Sequence, residues 1–355
     1  MKGRKTMELL KKLCEAPGIS GYEGPVTAVI KEALQGISDN VETDCLGNVI
    51  AYKKAAAESK DNKKKKVMLA AHMDQIGFLV KHIDGKGFIR FARIGGFDPK
   101  TLVAQRVIVH GKKDLVGVIG SKPIHVLEEA EKKKAPDFKD FFIDVGLDKK
   151  EVEELVQRGD YITFDRDFVQ MNDKTVTSMA LDDRVGVYVL IEALRRVKDN
   201  QVDIYAVATS QEEVGLRGAL TSSYSIEPDI GIALDVTVAL DTPGIKEEEM
   251  ICQLGKGTAI SVMNSSMIAH RGLCNFLKKL ADEHGIKYQL DVAERGGTDA
   301  GSMQKSRCGV ITGGLSVPSR YIHSVVEMCH IDDIEATIQL MVKFLENIHK
   351  ADFLK

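Results

Sequence analysis

The sequence has no tryptophan, no Cys-x-x-Cys pair, no long uncharged apolar run and no marked excess of either charge. Its six cysteines (Cys14, Cys45, Cys252, Cys274, Cys308, Cys329) are scattered, and read as small buried hydrophobes or idle thiols in a reducing compartment. No window of about 18 uncharged apolar residues exists, which excludes a transmembrane helix. The first residues are basic, but Lys11 and Lys12 interrupt the apolar residues behind them, so no secretory h-region is expected. Lys and Arg number 49 against 52 Asp and Glu, a formal charge of −3. That near balance offers no electrostatic footprint for nucleic acid or an anionic membrane. The expectation is a cytoplasmic protein that partners neither.

What is present is ordinary for a globular chain: 44% apolar and 28% charged residues. At about 150 residues per domain, 355 residues suggest two domains, with enough core to need no covalent staples. Helices are expected from Thr6 to Pro17 and from Pro25 onward. The run 60–66, with four lysines from Lys63, reads as a solvated loop. Residues 67–71 (Val-Met-Leu-Ala-Ala) form a continuous apolar run, the mark of a strand buried on both faces. Between 75 and 164 the chain changes to short β-rich pieces punctuated by glycine, with a charged mobile loop expected at 128–140. From about 175 strands (202–208, 229–234, 309–315) alternate with helices (183–197, 267–283, 331–349). The fold class expected is α/β, a doubly wound sheet with helices on both faces, plus a small inserted all-β domain. The boundaries are 1–74 and 165–355 for the α/β part and 75–164 for the insert.

Chemistry concentrates where apolar strands stop. Residues 67–71 run into His72-Met73-Asp74, 202–208 into Glu212-Glu213, and 229–234 into Asp235. In an open α/β sheet such endings converge on one crevice. Two further polar clusters lie in loops, Asp182-Asp183 before a helix and His323 after a strand. Singly, each has a plain structural explanation, such as a helix cap or an exposed turn. Together, several carboxylates and two imidazoles would repel and desolvate one another, and a divalent ion relieves that cost. Two histidines with three carboxylates suit Zn²⁺ or Co²⁺, and five ligands are a natural number for two ions sharing a carboxylate and activating one water. His72 and Asp74 are two apart and point the same way in a strand, so Asp74 can orient a metal-bound imidazole. Of the adjacent Glu212 and Glu213, only one can face the ions; the other is free to move a proton.

Seven strings in order along nearly the whole chain carry a resemblance: APGISGYEG (16–24), AAHMDQIGF (70–78), ALDDRVG (180–186), SQEEVGLRGA (210–219), ALDV (233–236), RGGTDAG (295–301) and PSRYIHS (318–324). The chain resembles the tetrahedral aminopeptidases, dinuclear metallopeptidases of glutamyl, leucyl and deblocking type that are sometimes labelled endoglucanases. The resemblance implies that Asp182 bridges two ions, with His72 and Asp235 completing one site and Glu213 and His323 the other. Glu212 is then the general base and Asp74 the partner of His72. Asp183 is expected beside a strained peptide bond, and Thr298 and Asp299 in a loop supporting the metals. It further implies a zinc-peptidase-like mixed sheet, a PDZ-like or β-barrel insert that dimerises, and assembly to a homodimer or dodecamer.

The activity so implied is release of N-terminal residues from short peptides, with a metal-bridging hydroxide as nucleophile. Alternatives are an N-acyl deacylase or carboxypeptidase on the same two-ion site, or a glycoside hydrolase. The last needs two carboxyls about 5–9.5 Å apart but neither His72, His323 nor a metal.

Overall fold

The structure is a computed structural model that describes residues 2–56, 65–351 and 353. Most of the lysine run expected as a loop, residues 60–64, lies outside the described residues.

Four strands make a parallel centre, side by side in the order Asp203–Thr209, Lys66–His72, Ile230–Val238 and Ile311–Arg320. Residues 230–237 are buried without a break, as are 67–72, because helices cover both faces and leave no polar side to the sheet. Helix Leu181–Arg196 packs on the strands Lys66–His72 and Ile230–Val238 and against helix Ile331–Asn347, while helices Arg217–Ile226 and Asp299–Gln304 pack on each other and on the central strands. Antiparallel strands flank the centre: Val49–Lys53 and Asn40–Thr43 on one side, Glu327–His330, Thr175–Ser178 and Val169–Gln170 on the other. Strands Thr258–Met263 and Tyr288–Val292 branch from Ile311–Arg320. The sheet is therefore mixed, as expected.

A second unit closes on itself. Strands Gly77–Ile83, Ile89–Ile94, Phe142–Asp144, Asp114–Gly120, Arg106–His110 and Tyr161–Phe164 form a barrel around its own apolar core, which includes Phe78, Val107, Val109, Ile119, Ile143 and Ile162. Phe78 stacks on Phe97 at 4.8 Å between ring centres. Met179, Ala180 and Val325 from the α/β part join this core, which brings the barrel against the loops that carry Asp182 and His323.

Three local expectations change. The stretch expected as a mobile loop at 128–140 contains a short helix, Glu129–Lys132, and a turn, Phe138–Asp140. Phe138 anchors it by packing on the barrel core, edge-on to Phe97 and Phe141. The helix expected from Met267 starts at Arg271, since Ala269 N–H donates to Val262 O and keeps 267–269 extended along the neighbouring strand. The strand expected to end at Leu315 continues to Arg320 because parallel pairing with Ile230–Val238 persists to Ser319. Among the described residues no helix is long and apolar enough to cross a membrane.

Candidate active site

The parallel register places Thr209 beside His72, with Asp235 one strand further on at the same end of the sheet. The strand ends do converge. The His72 ring is fixed from behind: Nδ1 lies 3.0 Å from the Asp74 carbonyl oxygen and 3.6 Å from its carboxylate. Nε2 then faces the crevice, 3.0 Å from Asp182 Oδ1 and 3.9 Å from Glu212 Oε2. On the far side His323 Nε2 lies 3.4 Å from Asp182 Oδ2 and 3.3 Å from Glu213 Oε1. One carboxylate, Asp182, thus turns one oxygen to each imidazole.

The local backbone is unusual where it serves this geometry. The Asp182–Asp183 peptide is cis, and both residues depart from helical angles although they begin the helix Leu181–Arg196. Asp183 points back to accept from the N–H of His72 at 3.1 Å and of Gly186 at 3.0 Å. The loop with Glu212 and Glu213 is held by Asp74, whose carboxylate accepts from both backbone N–H groups (3.0 and 3.2 Å) and from Ser20 Oγ (2.6 Å). The barrel reaches the same crevice through Gly95-Gly96. A Cβ on Gly96 would lie 3.2 Å from His323 Nδ1, close enough that any larger residue would press on that ring.

Electrostatics show what the cluster is short of. Burial alone would pull both imidazoles down, yet Asp182 and Glu213 push His323 up to about 11, and Glu212, Asp182 and Asp74 hold His72 well above its usual value. Burial pushes the carboxyls of Asp183, Glu212, Glu213 and Asp235 up, and neighbouring carboxylates add to each shift. Asp182 is carried below the carboxylate range, because hydrogen bonds to His323 and His72 outweigh its burial, and Asp74 is lowered too by His72, Ser20 and the Glu212 N–H. Asp299, raised to about 6 mainly by burial, bonds Thr209 Oγ1 through Oδ2 at 2.5 Å and leaves Oδ1 buried without a partner. Too many buried anions face too few cations, which is the signature of a cation site.

The donor atoms suit such ions. One ligand atom each from His72, Asp182 and Glu213 lies within 4.8 Å of the others, and so do atoms from His72, Asp183 and Asp235. Nitrogen and carboxylate donors in this mixture fit a borderline divalent ion. Of the residues expected at the site, His72, Asp74, Asp182, Asp183, Glu212, Glu213, Asp235 and His323 are brought together, and Asp299 stands beside them. The Thr298 side chain is turned elsewhere, to the Asn264 amide at 3.3 Å. Sequence reasoning missed Ser20 and Glu327, whose carboxylate accepts from the Asp182 and His323 N–H groups. It also missed Glu23, which accepts from Ser210 Oγ and Gln211 N–H in the Glu212 loop. No periodicity marks them, since each reaches at least one partner across a long sequence separation, Asp74, Asp182 and Ser210 respectively.

The profile of the M42 glutamyl aminopeptidase family matches residues 47–340. A lysyl aminopeptidase of Pyrococcus furiosus is 40% identical over 352 residues, 98% of each chain. Among solved structures, the TET aminopeptidase of a Thaumarchaeota archaeon from marine sediment superposes with a TM-score of 0.94 at 37% identity, again over 98% of each chain. The TET1 peptidase of Pyrococcus horikoshii, described as assembling into a tetrahedron or a large octahedral shell, gives 0.83 at 34% identity, over 96% of this chain and 98% of that one.

Proposed function

Since this chain belongs to the M42 glutamyl aminopeptidase family and is a hydrolytic peptidase, we propose that it removes N-terminal residues from short peptides at the His72–Asp182–His323 crevice. Asp182 would stand between two divalent ions, Zn²⁺ or Co²⁺, with His72 and Asp235 on one and Glu213 and His323 on the other. Bound there, such ions supply a water of lowered pKa and a Lewis acid for the scissile carbonyl.

The protein's own part is positioning and proton transfer. Asp74 holds the His72 ring and the Glu212–Glu213 backbone at once, so the base and one ligand share a single anchor. Glu212 takes the proton of the attacking water and returns it to the departing amine. In the metal-free crevice its carboxyl is pushed up by burial and by Asp235, Asp299 and Glu213. The observation that carries this reading is the single Asp182 carboxylate with one oxygen toward each imidazole. Thr298, away from the cluster, would act only by shaping the loop that presents Asp299. We also assign the protein to the cytoplasm and to a self-assembling state, a dimer through the barrel and a larger shell built from dimers.

The test is Glu212→Gln with aminoacyl chromogenic substrates. Metal content should stay near two ions per chain while turnover falls at least about 10²-fold. Turnover at the unaltered rate removes Glu212 from its role. Chelation should abolish the activity and Co²⁺ or Zn²⁺ restore it; activity indifferent to chelator refutes the metal reading.

A further inference from the structure

Glu327 has no part in the chemistry just described, yet it is 1% exposed at the start of strand Glu327–His330. Its Oε2 accepts from the backbone N–H of Asp182 and its Oε1 from that of His323, both at 2.9 Å. The two amides belong to distant segments, the entry to helix Leu181–Arg196 and the loop after strand Ile311–Arg320. His323 needs such a tether: its φ of 61° lies in the left-handed region that side chains other than glycine seldom adopt, and its side chain is 37% exposed. The ion pairs of its ring are to Asp182 and Glu213, whose mutual repulsion favours drifting apart.

We infer that Glu327 is a positioning residue that clamps the Asp182 peptide to the His323 peptide and so fixes the spacing of two ligands of one ion. The inference rests on the metal-pair reading above. A carboxylate is the side chain for this task, because both oxygens accept. Glutamine would offer one N–H group an amide donor, and aspartate is one methylene too short to reach both. The loss should fall mainly on the ion facing His323, because His72 is fixed separately through Asp74. Groups that orient ligands in this way change metal affinity by about 10–100-fold when removed.

Metal-depleted Glu327→Gln and Glu327→Asp would be titrated with Co²⁺ alone, following heat and visible absorption. One ion per chain should bind as in the unaltered protein and the other about 10–100-fold more weakly. Adding Glu327→Gln to His323→Asn should weaken Co²⁺ no further. Two ions at unaltered affinity in both variants, or equal weakening of both ions, overturns the inference. If neither variant folds, amide hydrogen exchange in the unaltered metal-free protein decides: the Asp182 and His323 amides should be protected, and free exchange at either overturns the clamp. An unaltered protein that takes up no Co²⁺ refutes the metal-pair reading instead, while the exchange result still judges the clamp.

Discussion

Asp235 bonds the N–H of its own neighbour, Val236, at 2.7 Å, and its carboxyl is raised well above normal by burial and then by Asp182. Such a group binds a proton more tightly folded than unfolded. Its destabilising effect is absent below the unfolded pKa, near 4, and grows as pH rises toward the folded value. Asp183 and Glu212 behave alike, and His72 and His323, raised above 6.5, lose their stabilising charge as pH rises further. Asp182 and Asp74 act in the opposite sense, but only as pH falls through and below 4. Metal-free protein should therefore melt at progressively lower temperature from about pH 5 to pH 8. Asp235→Asn should flatten that slope, and Zn²⁺ should raise the melting temperature most at the alkaline end. A calorimetric Tm that climbs with pH in the metal-free state would contradict the electrostatic account. His72, Asp74, Glu212 and Asp235 were legible as polar endings of apolar strands, and Asp182, Asp183 and His323 as polar clusters in loops. Ser20, Glu23 and Glu327 were not, because buried polar groups whose partners include distant segments, Asp74, Ser210 and Asp182 respectively, leave no local pattern.

The helix Leu181–Arg196 shows how an element serves the site at its own expense. Its apolar face, through Val187, Leu190, Ile191 and Leu194, was readable from spacing, and all four are fully buried. Its first turn was not, since Asp182 and Asp183 leave helical angles to aim two carboxylates at the crevice. Gly186 is where the two demands meet: a Cβ there would run into the Asp183 carboxylate that accepts from His72 N–H. By helix propensity alone, Gly186→Ala should stabilise by about 1 kcal/mol. Crowding should reverse the sign, destabilising by about 1–3 kcal/mol in denaturant titration and lowering metal affinity. A stabilised variant would show that Asp183 is free to move. Flanking strands such as Asn40–Thr43 and Tyr288–Val292 escaped the sequence reading for a different reason. Both lie at sheet edges, where among the described residues one side of each strand has no partner and the apolar signal is weak.

At the scale of the molecule, the barrel carries an exposed apolar strip that a lone chain has little use for. Val116 is 60% and Val118 46% exposed on strand Asp114–Gly120, and Ile124 and Val126 follow at 62% and 61%. Apolar side chains clustered at a surface in this way mark an interface. If the barrel joins two copies, Val116→Asp with Val118→Asp should shift sedimentation to a smaller species while Co²⁺ binding at the crevice persists. Unchanged assembly would place the contact elsewhere. Self-association would also matter to activity, because Gly95-Gly96 carries the barrel to within contact of Glu213 and His323.

Strand and helix periodicity, the glycine-punctuated β stretch and the polar strand endings were all written in local order along the chain, because hydrophobic burial repeats with a period set by each element. They were enough to specify an α/β sheet with helices on both faces beside a β unit, and several of the polar side chains at its mouth. Which oxygen of Asp182 faces which imidazole, and which carboxylates are left short of a counter-charge, came only from folding. Those relations join residues from separate segments, Asp182 with His72 and His323 lying more than a hundred positions apart, and a charge learns its neighbours only when the chain has closed around it.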